Sequence, residues 1–71
     1  MTLRELREKK NLSQAQVATR GDIEQTTVSQ LELGKIQDPR SSTLQALASV
    51  YGVRLQAVVD ALAESIEQAA A

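Results

Sequence analysis

Leu12-Ser13-Gln14-Ala15-Gln16-Val17-Ala18, a short break through Gly21-Asp22, and then Ile23 to Gly34 form the stretch that decides the fold. Ser13 is a good helix N-cap because its hydroxyl accepts from a first-turn N–H, and Gln16 stands at the third helical position, where a capping box places an amide or acid. The spacing predicts a helix over Gln14 to Arg20 with Val17 and Ala18 turned inward, stopping at Gly21-Asp22. A second helix from about Glu24 to Leu33 carries Val28 and Leu31 at i, i+3 and ends where Gly34 is free to turn left-handed. Helices joined by so short a turn must cross steeply, and the small Ala18 lets them pack closely. Gln25, Thr26, Thr27 and Gln30 are then left projecting outward from the start of the second helix.

Helix signals continue on both sides. Upstream, Thr2 with Glu5 three residues on reads as another capping box, opening a helix that carries Leu3 and Leu6 and fades at Lys9-Lys10-Asn11. Downstream, the loop Lys35 to Arg40 holds Pro39, the only proline. Ser41 or Ser42 is expected to cap a fourth helix carrying Leu44, Leu47, Ala48 and Tyr51, closed by Gly52. Leu55, Val58, Val59, Leu62, Ala63 and Ile66 then form an apolar stripe that frays into Gln68-Ala69-Ala70-Ala71. No alternating strand pattern occurs. The expected fold is all-α with five helices in a single domain over residues 1–71. Its core spans about residues 3–59, and residues 60–71 form a C-terminal helix extension and tail.

Composition narrows the function. Seventy-one residues leave little room for a second activity. Without cysteine or histidine the chain lacks disulfides, thiolate ligands and the commonest general base, so enzyme, metal and cofactor readings are set aside. The first residues carry no signal-peptide stretch and no apolar run is long enough to span a bilayer, so a cytoplasmic protein is expected. Net charge is −1, but it is segregated. All eight Lys and Arg fall in residues 1–54, whereas residues 55–71 hold Asp60, Glu64 and Glu67 and no base.

Glutamine suits the outward positions chemically, because its amide donates and accepts in one plane and so matches the N6/N7 edge of adenine in a major groove. Threonine adds a hydroxyl and a methyl that can meet thymine. The alternative for each is an ordinary solvated helix face.

Leu6-Arg7, Leu12-Ser13-Gln14, Val17-Ala18, Val28-Ser29-Gln30-Leu31-Glu32, Gly34-Lys35, Pro39, Thr43-Leu44, Leu47-Ala48 and Tyr51-Gly52-Val53 stand in one order and spacing. Over about residues 3 to 59 they resemble the lambda-repressor-like, XRE-type helix-turn-helix family of Cro proteins and phage repressors. The resemblance implies that Gln14 touches a phosphate and braces Gln25, that Gln25, Thr26 and Gln30 face bases with Thr27 beside them, and that Lys35 and Arg40 meet phosphates. It also implies an ion pair of Arg7 with Glu32. Three places depart from the family pattern: Gly21-Asp22 shifts the turn glycine by one, Glu24 replaces a small hydroxyl cap, and Leu33 and Ile36 are apolar.

A stand-alone transcriptional regulator of bacterial or phage type is expected, a repressor that binds double-stranded DNA as a homodimer on a palindromic operator. Leu62 and Ile66, lying beyond the core, are expected at the dimer contact, with Val53 and Arg54 as the other candidate edge. The rival expectation is an antitoxin or similar interaction module that binds a toxin or co-regulator.

Overall fold

The computed structural model describes residues 1–70. Five helices follow in order, α1 Leu3–Lys9, α2 Gln14–Gly21, α3 Gln25–Glu32, α4 Ser41–Tyr51 and α5 Leu55–Ala70, and no strand occurs among the described residues. Helix α2 packs on α3 and α4, and α5 closes the bundle over α4, α1 and α3. Ala71 of the expected tail lies outside the described residues, while α5 runs unbroken through the Gln68-Ala69-Ala70 stretch expected to fray.

Local chemistry accounts for the helix ends. Thr2 and Ser13 each accept a backbone N–H from the third helical residue, Glu5 or Gln16, whose side chain accepts the cap's own N–H in return. Four C-termini share one device: a left-handed residue, Asn11, Asp22, Gly34 or Gly52, then a residue whose N–H reaches back five positions. Those bonds are Leu12 to Arg7 at 3.3 Å, Ile23 to Ala18 at 3.0 Å, Lys35 to Gln30 at 2.9 Å and Val53 to Ala48 at 3.0 Å. Each satisfies a carbonyl that the helix end would orphan. Leu12, Ile23 and Val53 also pack in or against the core, so the same residue turns the chain and anchors it.

Between α2 and α3 the left-handed place belongs to Asp22, while Gly21 stays helical. The expected serine cap of α4 is absent. Arg40 occupies that position in extended conformation without a side-chain bond, and Ser41 is already helical. The phase of α4 is set by burial of Leu47, Ala48 and Tyr51, which outweighs one capping bond.

The core gathers all five helices around Leu3, Val17, Val28, Leu31, Leu47, Tyr51 and Val58. It also continues past Val59. Ala61, Leu62 and Ser65 are buried, and Ile66 packs against them. The expected dimer role of Leu62 is therefore corrected, since its burial leaves it serving its own protomer, while Ile66 is only partly covered. The periodicity was ambiguous because the apolar residues of α5 cover two adjoining strips, and only Val58, Ala61, Leu62 and Ser65 are fully inside. Ile36 also packs against the core, leaving Leu33 as the exposed member of that pair.

Two contacts clamp the end of α5 to the domain. Ser65 accepts the N–H of Leu3 through its hydroxyl at 3.0 Å and donates to the carbonyl of Ala61 at 2.9 Å, so a buried serine supplies a partner for the start of α1. Gly34 is the other. With φ +74°, a Cβ there would lie 2.8 Å from Ala69 Cβ and 3.1 Å from the Ser65 carbonyl oxygen.

Gly34→Ala should therefore lower stability by about 2 kcal/mol or more, adding left-handed strain to the clash. Asp22→Gly, which relieves strain without a clash, should raise it by about 0.5 kcal/mol. Thermal melts of the two variants check both signs, and an unchanged Gly34→Ala melt would mean that α5 does not sit on Gly34.

Candidate nucleic-acid interface

Helix α3 has an inward and an outward side. Val28 and Leu31 are buried, and a 3.6-residue repeat then places Thr26, Ser29, Gln30 and Leu33 on the opposite side. Gln25 and Thr26 are exposed, while Thr27, Ser29 and Gln30 are partly covered. The expected recognition residues divide between two flanks. Gln14, Gln25, Thr26 and Ser29 line one shallow depression on the α2 side, whereas Thr27 lies with Glu24, Asp38, Pro39 and Arg40 along the loop. Ser29 was missed by sequence reasoning. Its signal was available, since it stands at i+4 from Gln25 and i+3 from Thr26.

What holds this helix is an ionic cluster. Arg7 Nε donates to Glu32 Oε2 at 2.6 Å and Nη2 to Oε1 at 3.1 Å, while Nη1 donates to the Leu12 carbonyl at 2.9 Å. Gln14 Nε2 donates to Glu32 Oε1 at 3.1 Å. One carboxylate at the end of α3 thus receives α1 and the start of α2 together. The arrangement is mostly buried, the Arg7 and Glu32 side chains being 14% and 5% exposed. A bidentate geometry of this kind is directional as well as strong. The Glu32 hydrogen bond raises the Arg7 pKa above its ordinary value, so the cation persists at any working pH.

The resemblance to the family had Gln14 bracing Gln25. Here its amide N–H bonds to Glu32, while its neighbourhood still includes Gln25. Lys35 and Arg40 are exposed. Among the described residues neither enters an ion pair; the side-chain pairs there are Arg4 with Glu8 and Arg7 with Glu32. Unpaired cations beside an outward helix can meet phosphate oxygens.

A family model described as helix-turn-helix, of the XRE, lambda-repressor-like type, matches residues 3–58. The chain belongs to that helix-turn-helix family. Comparison with curated proteins and with solved structures returned no match. Membership makes the protein a DNA-binding transcription regulator in general terms, with α2 and α3 as the helix-turn-helix pair and α3 as its second helix. No single helix is long and apolar enough to cross a membrane, and no metal-binding group of acids occurs among the described residues.

The helix-turn-helix frame makes the ion pair testable. Glu32→Ala leaves the Arg7 guanidinium facing a vacated, mostly buried place, and should cost roughly 3–5 kcal/mol, a drop in melting temperature of over about 10 °C. Glu32→Gln, which keeps an acceptor, should cost less. Equal melts for wild type and Glu32→Ala would reduce the pair to a surface contact.

Tyr51 gives an independent probe, as the only tyrosine in the chain. Burial, with the Glu32 charge adding to it, pushes its phenol up from 10.0 to about 12. The unfolded chain releases this proton near 10 and the folded chain holds it longer. The folded state therefore binds more protons in between, and stability should decline as pH rises from about 10 to 12. Near-ultraviolet phenolate absorbance during an alkaline titration should rise together with unfolding, and a phenol ionising near 10 in the folded protein would contradict the assignment.

Proposed function

We propose that the protein is a repressor of bacterial or phage type, acting in the cytoplasm by occupying a short palindromic operator as a homodimer. The observation that carries the reading is the outward side of α3. Thr26, Ser29 and Gln30 with Gln25 form a row of amides and hydroxyls, held in place by the Glu32 cluster. Gln25 and Gln30 read adenine edges, Thr26 and Thr27 meet thymine methyls or the backbone, and Gln14, Lys35 and Arg40 meet phosphates. Residues 1–70 form one domain, with 60–70 completing its core, and need no cofactor for this work.

The homodimer rests on the second strip of α5. Leu55 and Val59 are 42% and 37% exposed and lie at i, i+4, with exposed Ala63 one turn further. Val53 and exposed Arg54 adjoin their N-terminal end. A two-fold axis through this strip pairs like residues with like. The protomer measures 30 × 23 × 23 Å, so two side by side suit half-sites about 34 Å apart. The strip is one helix face wide, so it gives a modest contact, completed on DNA. The acidic side of the same helix, Asp60, Glu64 and Glu67, favours the rival reading of a protein-binding antitoxin, and co-purification of an unrelated chain would support that.

Fluorescence anisotropy with operators selected from random duplexes tests the DNA reading: affinity should fall steeply as salt rises. Gln30→Ala should lose roughly 1–3 kcal/mol on the best site and little on random DNA, whereas Lys35→Ala should weaken both alike and flatten the salt dependence. Absence of binding to every duplex at low salt would refute the proposal. Sedimentation equilibrium tests the dimer separately, since Val59→Glu should shift the protein to monomer while its helical circular dichroism is retained.

A further inference from the structure

Helix α3 begins with an acid that its own fold does not use. Glu24 is the N-cap, in extended conformation with φ −73° and ψ 142°, yet it makes no capping bond, in contrast with the full boxes at Thr2 and Ser13. It is exposed and enters no ion pair among the described residues. It stands one residue before Gln25 and shares the loop-side depression with Thr27 and Arg40, and with two more acids, Asp22 and Asp38.

In a helix-turn-helix complex the first residues of the second helix reach the base edges. A carboxylate carried there meets the negative field of two phosphate chains. It must find donors or weaken every complex. Major-groove donors are the amino groups of cytosine and adenine alone, since guanine presents O6 and N7 and thymine O4, all acceptors. Beside its amino group adenine presents N7, which repels a carboxylate and suits an amide. Cytosine offers a donor without that neighbouring acceptor.

We propose that Glu24 is a specificity-determining residue that accepts a hydrogen bond from cytosine N4 in the operator, at a base pair met from the loop-side flank of α3. The inference rests on the DNA-binding reading above and assigns it a base. Selection works largely by exclusion: guanine or thymine at that place leaves the carboxylate opposite an acceptor, with no donor to offset its desolvation. Arg40, on the same flank, offsets one of the three carboxylates there and offers phosphate a cationic partner.

The test is binding-site selection from a random duplex library with wild type, Glu24→Gln and Glu24→Ser, followed by anisotropy on the best site and its three base substitutions at the affected position. Wild type should prefer cytosine there by about tenfold. Glu24→Gln should move the preference to adenine, and Glu24→Ser should relax it while tightening the non-cytosine sites. Melting temperatures should not fall, because no capping bond is lost. A uniform gain of affinity on all four bases in Glu24→Gln would overturn the proposal, as would a selected operator whose composition neither substitution alters. Either result leaves duplex binding itself standing, whereas a wild-type protein that binds no duplex would overturn both readings.

Discussion

The Glu32 carboxylate is the point on which the orientation of α3 depends. Arg7 and Gln14 reach it from α1 and α2, and the third guanidinium nitrogen of Arg7 donates to the Leu12 carbonyl in the turn between those helices. A helix of eight residues is too short to be stable by itself. Its apolar contribution is mainly Val28 and Leu31, which fix depth in the core more firmly than rotation about the axis. The bidentate pair supplies that angular constraint, because a guanidinium fork and a carboxylate satisfy both bonds in only a narrow range of orientations. Rotation would carry Thr26, Ser29 and Gln30 off the outward side together, so the ion pair sets which residues α3 turns outward.

The second constraint is closure of the bundle by α5. Residues 3–58 match the family, yet the core continues through Ala61, Leu62 and Ser65. Ser65 provides an acceptor for the first N–H of α1, and Ala69 and Ile66 come so near Gly34 that only glycine fits there. Gly34 thus answers two demands at once, the left-handed turn that ends α3 and the close approach of α5. The end of the recognition helix is held by the C-terminal helix as well as by Arg7.

Sequence made much of this legible because the relevant signals are local. Capping boxes at Thr2 and Ser13 depend on residues three apart, and left-handed exits need Gly, Asn or Asp, so four helices could be placed from short-range chemistry. The start of α4 escaped because it lacks that chemistry: two serines offered caps, while burial of Leu47 and Tyr51 decided the phase. The stripe on α5 escaped for a different reason. Leu55, Val59 and Ala63 are as apolar as Val58 and Leu62, and only the packing partners α1, α3 and α4 distinguish the covered strip from the open one. At the interface the outward residues could be named from spacing, Ser29 excepted. The bond from Gln14 to Glu32 could not, since it joins residues eighteen apart.

Charge is placed unevenly along the chain. Lys35 and Arg40 flank the outward side of α3, while Asp60, Glu64 and Glu67 lie on α5, whose packing partners include α1 and α3. A net charge of −1 therefore conceals a segregation along the chain, all eight Lys and Arg lying before α5. Glu24, Asp22 and Asp38 modify this on the loop side. Acids there weaken association with DNA at large, where phosphate attraction is indifferent to sequence, and take nothing from a site whose donors they meet. Lower general affinity with retained contacts at one site raises the ratio between them. For a protein searching among many competing sequences, that ratio matters more than the absolute strength of binding.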